Sequence, residues 1–463
     1  MRMMIKIFNK YAQTEYSIAR KKISKAIKKK DFATAFSRLE TIIAYPAKLK
    51  SNTELNDALN LLADSLGNKG LEEIAALAKN LANNMEDPQA VYDLAYTLLE
   101  ANLPCIAATI LDYAIKNIRL DDVRSDIVTE LVSCFEAMME FELACNLLKQ
   151  QSGLLEKDFM CKYLLAFNSI MCADINTARY CLDEIRADDS RIDNSKQIFM
   201  IERIHRMIAR FDAISAYYTV DKNDLQVWHY VLSGSVLLHV SPYGFNDGMN
   251  GRYAGLQESY SLCRLGIEYL AKVFAAIKKT PECIFFLADR DSEIMATAVA
   301  MYFNLALEKW TENKKERSGL IVAYDLSMIE CDIQKSLIER REDQLLWSHI
   351  TNWTKNHPIS ADITTLLAQA VLPAWGKKLH FGVSSGSIDV RGQSTDQRII
   401  AEIAADIIAE TGSEQETSKY DDLEKVNLLA TLALLDKIAE GINRETMWAG
   451  SPVKSIQLDI PML

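Results

Sequence analysis

The residues best suited to chemistry in this chain of 463 residues lie in its second half. Asp289-Arg290-Asp291 follows the apolar run 283–288 and precedes a helical pattern that opens at Ser292. Two carboxylates one residue apart can hold a divalent cation that bridges a diphosphate, and the guanidinium between them can bind a phosphate directly. Equally, Asp291 or Ser292 can cap the following helix while Arg290 pairs with a neighbour. Tyr324 and Asp325 end a second apolar run and join Arg290 as ligand-binding candidates. His239 ends a third run, where it can serve as a general base beside Asp289 and Asp291; a hydrogen-bonded core histidine is the ordinary alternative. Arg252 completes the set. It sits among Gly244, Gly248, Gly251 and Gly255, just ahead of an amphipathic pattern whose helix dipole would favour an anion.

Such residues need elements that carry them to one edge. The patterning predicts β-prone runs at 230–232 and 236–240, then strands at 283–288, 319–325, 345–351 and 379–383. Between them it predicts helices at 256–277, 292–309, 333–340 and 363–372. Alternation of this kind implies a mostly parallel sheet covered on both faces, a Rossmann-like three-layer α/β domain over 227–390. Ligands of such sheets bind beyond the carboxyl ends of the strands. Those ends also include Ser241, Thr351, Asn352, Ser384 and Ser385. The loop 242–255 reads as a lid or an ordinary connection. Beyond it, 395–463 reads as C-terminal helices and a tail, with an acidic linker over 410–422 and a last helix over 423–442.

The glycine spacing is not that of a dinucleotide site, and no P-loop, nucleophile elbow, His-Glu-x-x-His helix or Cys/His cluster is present. No metal site is expected, and no cofactor is specified.

Residue usage changes near position 220. All 6 Trp lie beyond it, and of the 17 Gly only Gly67, Gly70 and Gly153 precede it. Long glycine-poor stretches suit stacked helices. An apolar residue followed three positions later by a small or apolar one recurs at Phe32/Ala35, Leu71/Ile74, Cys105/Ala108, Phe141/Ala144, Ile175/Ala178 and Phe211/Ile214, at intervals of 34 to 39 residues. In the clearest unit, Asp87-Pro88 starts one helix, Tyr92, Ala95, Leu98 and Leu99 follow at helical spacing, and Ile106, Ala107, Ile110 and Leu111 mark a second. This segment resembles a tetratricopeptide repeat, and the resemblance extends over about 15–220, although the family's Trp-x-x-Leu-Gly-x-x-Tyr signature is missing. The resemblance implies an N-terminal TPR-like α-solenoid over 1–220 whose groove binds a peptide, a partner protein or a second copy of the chain. The alternative is that the repeats only pack on the second domain.

A formal charge of −11 and a pI near 5.3 argue against nucleic acid or anionic lipid as partner. The basic run from Arg20 to Lys30 reads as the wet face of a first helix. Nine scattered cysteines without a Cys-x-x-Cys pair suit reduced thiols in the cytoplasm, and no window is apolar enough to span a membrane. The expected function is therefore a binding or scaffold protein whose repeats hold a protein or peptide and whose α/β domain takes a small polar or phosphorylated ligand.

The alternative is a transferase-like enzyme acting on a phosphorylated or nucleotide-linked substrate. Asp289-Arg290-Asp291 is similar to the Asp-x-Asp of nucleotide-sugar transferases, and the strand, acidic turn, helix and second strand loosely resemble phosphoribosyltransferase domains. Asp325, however, is followed by Leu326-Ser327-Met328 rather than a glycine-containing phosphate loop. The enzyme reading requires the sheet-edge acids, Arg252 and His239 to share one pocket; the scaffold reading has them cap helices or pair separately.

Overall fold

The computed structural model describes residues 2–66, 71–117, 124–187, 195–246, 248–311, 317–341, 343–377, 380–381, 388–389, 395–411, 419, 421–435, 447 and 449–457; the side chains of 2–14, 380–381, 388–389 and 435 lie outside the description. The chain divides into two compact units, Met1–Ile201 and Glu202–Leu463. Among the described residues no helix is long and apolar enough to cross a membrane.

The first unit is helical. Its helices are α1 (Arg2–Lys28), α2 (Phe32–Ile43), α3 (Asn52–Leu66), α4 (Glu72–Asn83), α5 (Pro88–Glu100), α6 (Pro104–Asn117), α7 (Ser125–Ala137), α8 (Phe141–Gln150), the short α9 (Ser152–Lys157), α10 (Phe159–Met171) and α11 (Ile175–Ala187). Each packs chiefly on its chain neighbours, in pairs such as α5 with α6 and α10 with α11. Local chemistry sets their starts. Asp87 accepts the Gln89 N–H and Pro88 takes the first turn, while Asp31 and Asp158 cap α2 and α10 in the same way. Lys30, Asn102, Met139 and Ala173 have positive φ, and each stands two residues before the second helix of a pair. The recurring small positions Ala35, Ala108, Ala144 and Ala178 are fully buried, which lets the paired helices approach closely.

The second unit begins within α12 (Ser195–Ser215) and continues through α13 (Leu225–Ser233). It then builds β1 (Val236–Leu237), β2 (Tyr253–Gln257), α14 (Tyr260–Ala276), β3 (Cys283–Phe286), α15 (Arg290–Phe303), β4 (Ala306–Lys309), β5 (Gly319–Asp325), α16 (Cys331–Ser336), β6 (Gln344–Thr351) and β7 (Ile363–Leu372). A two-stranded antiparallel piece, β8 (His380–Phe381) with β9 (Ile388–Asp389), and helices α17 (Ile400–Ala409) and α18 (Leu423–Leu435) follow.

Seven strands form one parallel sheet in the order β4-β3-β5-β6-β7, and both β1 and β2 pair with the far side of β7. The pleat sorts the side chains by face. Cys283, Phe285, Ile321, Ala323 and Leu346 join Leu326, Ile329 and Leu337 in an apolar cluster on one face. Val322, Tyr324, Trp347 and His349 point the other way, where α14 meets His349 at Gly266 and α15 packs on β3 and β5.

Several expected elements differ. The run 230–232 is part of α13, because Asp224 caps that helix at Val227 and Gly234, at φ 64, ends it. Segment 363–372 is the strand β7 rather than a helix: its nearly continuous burial erases the periodicity that would separate the two. The helix expected over 292–309 stops at Phe303, where Asn304 turns left-handed at φ 53 and releases β4. The loop after Pro242 ends in β2, so the amphipathic helix starts at Tyr260 rather than at Leu256. Within the expected linker 410–422, Asp421 is docked by three hydrogen bonds, while 412–418 and 420 lie outside the described residues. So do Ser384, Ser385, Trp448 and the part 436–442 of the last helix expected over 423–442, whose first part is α18.

Candidate functional site

From β3 the chain moves outward to β4, then crosses back to β5 and continues through β6 to β7. The order therefore turns back between β3 and β5, the kind of switch point beyond whose strand ends ligands of open parallel sheets bind. Asp289, Arg290, Asp291, Tyr324 and Asp325 all lie there.

Each has local partners. Asp289 caps α15, with Oδ1 accepting the Ser292 N–H at 2.8 Å, while Oδ2 is buried without a hydrogen-bond partner. Arg290 Nη2 donates to the carbonyls of Asp396 at 2.7 Å and Arg398 at 3.3 Å, and its Nη1 is buried without a partner. Asp291 Oδ1 accepts the Trp375 indole N–H at 2.6 Å; burial raises this carboxyl above its ordinary range, and the indole bond opposes the shift. Asp325 accepts from the Ser327 N–H at 2.8 Å and the Ser327 hydroxyl at 2.6 Å, and burial raises it as well.

Tyr324 points to the opposite face of the sheet from Ala323. Its hydroxyl donates to Glu258 Oε2, and Glu258 Oε1 lies 2.5 Å from His349 Nε2. Burial, then the Glu258 charge, drives the Tyr324 phenol well above its usual value. Cys263 completes this buried cluster: ligand atoms of Glu258, Cys263 and His349 all lie within 4.8 Å of one another. Trp375 packs against Tyr324 in a tilted arrangement, ring centroids 5.2 Å apart and planes at 58°, and so links the cluster to Asp291. Sequence reasoning missed Glu258, Cys263 and Trp375. The one local signal is that Glu258 immediately precedes Ser259, the N-cap of α14, and thus stands at a strand end like the other candidates.

His239 and Arg252 do not join this edge. His239 follows β1, which is separated from β3 by β7, β6 and β5, so about 19 Å of sheet intervenes at the usual strand spacing. Its ring is enclosed, with Nδ1 2.8 Å from Asp421 and Nε2 2.9 Å from the Tyr253 hydroxyl. Tyr269 also donates to Asp421, at 3.0 Å. A general base shared with Asp289 and Asp291 is thereby corrected to a core histidine.

Arg252, expected near a helix start, precedes β2 and is buried. Nη1 donates to the Val453 carbonyl at 2.8 Å and to the Ser455 hydroxyl, and the guanidinium lies 5.4 Å from the Trp353 ring centre. Burial pushes its pKa down to about 9. The lower pKa of His229, about 3, has the same first cause, with the Arg252 charge second. Both residues line a cavity of about 30 Å³, room for one water, to which Met447, Ala449, Gly450 and Ser451 also contribute. The loop ahead of Arg252 is tied down rather than arranged as a lid: Asn250 Nδ2 donates to the Lys454 carbonyl at 2.6 Å, and the Ile456 N–H donates to the Gly248 carbonyl at 3.2 Å.

The helical unit holds a larger concavity. About 400 Å³ opens between the α2–α3 connection and α6, lined on one side by Tyr45, Lys50 and Asn52 and on the other by Asp112, Tyr113 and Lys116. Within it Lys116 pairs with Asp112 at 2.6 Å. Comparison of the chain with known protein families, with curated proteins and with solved structures finds no match.

Proposed function

We propose that this chain is a binding protein: its helical unit, built of tetratricopeptide-like repeats, holds a peptide or protein segment, and its Rossmann-like unit carries a small polar ligand at the sheet edge. The observation that carries this reading is the 400 Å³ concavity bounded by Tyr45, Lys50, Asn52, Tyr113 and Lys116, which offers aromatic faces and amide and ammonium donors to an extended backbone. The separate engagement of Asp289, Asp325, Arg252 and His239 by their own chain supports it too, because a shared reactive pocket would need these groups together.

The test is selection of displayed peptides on the full chain, followed by titration of the selected peptides against wild type, Tyr113→Ala and Lys116→Glu. Peptides whose affinity drops in both variants support the groove. Selected peptides that bind both variants as well as wild type sink it.

One observation favours an enzyme instead. Asp289 Oδ2 and Arg290 Nη1 are buried without partners at the turning point of the sheet, where a phosphorylated or nucleotide-linked substrate would meet both. Thermal shift with phosphoribosyl diphosphate and nucleotide sugars, abolished by Asp289→Asn and by Arg290→Ala, would shift the assignment to a transferase.

A further inference from the structure

Beyond that reading, and independently of it, we propose that Glu258, Cys263 and His349 form a buried binding site for a transition metal ion, zinc by preference. Three elements deliver the donors. Glu258 follows β2, Cys263 lies in the first turn of α14, and His349 is on β6. Their ligand atoms already lie within 4.8 Å of one another, and all three residues are buried. A thiolate, an imidazole and a carboxylate together suit zinc; calcium and magnesium prefer oxygen alone.

The electrostatics point the same way. A carboxylate in a dry core requires compensating positive charge. Among the described residues no Lys or Arg pairs with Glu258; its side-chain partners are His349 and the Tyr324 hydroxyl. A divalent ion supplies that charge. A second observation concerns the ring itself. His349 Nδ1 is buried beside Gly266 with no hydrogen-bond partner, so the ring's one anchored nitrogen is Nε2, the atom that faces Glu258 and would ligate the ion.

The geometry leaves room for adjustment but not for wandering. Tetrahedral zinc sets its donor atoms about 3.3–3.8 Å apart. The Glu258–His349 contact of 2.5 Å must therefore open, while the wider separations, bounded by 4.8 Å, close. Glu258 has the side-chain torsions to do this. His349 does not need to move, because Gly266 seats it: a Cβ at 266 would lie 2.8 Å from ring atoms Nδ1 and Cε1. Cys263 and Gly266 are three residues apart on one face of α14, so the thiol and the seat of the imidazole are set by the same helix. The Tyr324 hydroxyl then holds the second oxygen of Glu258, the kind of outer contact that orients a ligating carboxylate. Three protein ligands leave one position for water or a small donor.

The experiment is metal analysis of the full chain, purified with reductant and dialysed, together with cobalt substitution. The expected result is about one zinc per chain, falling at least ~10-fold in Cys263→Ser and in His349→Ala, with Cys145→Ser as an unaffected control in the helical unit. Cobalt should give a thiolate-to-metal charge-transfer band in wild type that Cys263→Ser lacks while keeping its circular dichroism. If His349→Ala unfolds, the Cys263→Ser pair of measurements decides. Wild-type protein that is folded and reduced yet holds no stoichiometric zinc or cobalt, even after either is added, overturns the site. So does a cobalt band that survives Cys263→Ser.

Discussion

The two units solve the burial of polar groups in opposite ways. Among the described residues of the helical unit the buried polar ones are Ser65, Thr109, Asn168 and Ser169, none ionisable, and the remaining core is aliphatic or aromatic with scattered thiols. In the sheet unit His229, His239, Arg252, Glu258, Asp325, Arg340, His349 and Asp362 are all buried. Helices satisfy their own backbone, so a stack of them needs only apolar faces and caps. The sheet unit instead buries ionisable side chains, some paired with an opposite charge and others held by neutral partners, and loss of a partner from such a pair is destabilising. A core of that kind holds particular side chains in particular places, which is the condition a ligand or metal site imposes.

That contrast can be attacked directly. The largest effect is expected at the buried pair Arg340–Asp362, 2.7 Å apart with both side chains almost fully covered. Asp362 Oδ2 also accepts the Leu346 N–H, so Arg340→Met strands a buried carboxylate and should lower urea-unfolding stability by about 3–5 kcal/mol.

Next comes acid sensitivity. The folded pKa of His229 lies near 3, below its ordinary value of 6.5, so the unfolded chain takes up the proton first. The stability contributed by neutral His229 is complete above pH 6.5 and is lost as pH falls from there towards 3. By pH 4 the loss approaches about 3 kcal/mol, and His229→Leu should flatten the slope of stability against pH over that window.

Gly266→Ala pushes the His349 ring and should cost about 1–3 kcal/mol by the same assay, together with any metal bound at Cys263. In the helical unit the expected changes are smaller. Asp87→Ala removes the cap of α5 and should cost about 1 kcal/mol. Lys116→Ala breaks an exposed i, i+4 pair and should alter stability by only about 0.3–0.5 kcal/mol. A helical-unit substitution as damaging as Arg340→Met would erase the contrast.

The sequence made the strand ends at 283–291 and 319–325 legible, because short β-branched and aromatic runs that stop in charge have few other readings. The positions Ala35, Ala108, Ala144 and Ala178 were legible for a similar reason: small residues recurring at a fixed interval mark where helices touch. Segment 363–372 was not. Alternation vanishes when both faces of a strand are covered, and the only dissenting signal was the β-branched opening Ile363-Thr364-Thr365. Nor could the Glu258–His349 contact be read, since it joins residues 91 positions apart. Asp421 was hidden differently: an acidic, polar neighbourhood looks solvated, yet one carboxylate in it is pinned by His239, Tyr269 and the Val240 N–H.

The pairing of β7 with two successive short strands has a consequence for behaviour in concentrated solution. Ile363 and Thr364 are matched by β1 and the stretch from Ala368 to Leu372 by β2, so this border of the sheet is broken into pieces of two and five residues. The opposite border, β4, is four residues long and carries Glu308 and Lys309, with Glu308 bound to Arg317. An approaching chain therefore meets no long, flat, apolar ladder on either side. The sheet is guarded against recruiting a stranger's strand into an amyloid-like stack.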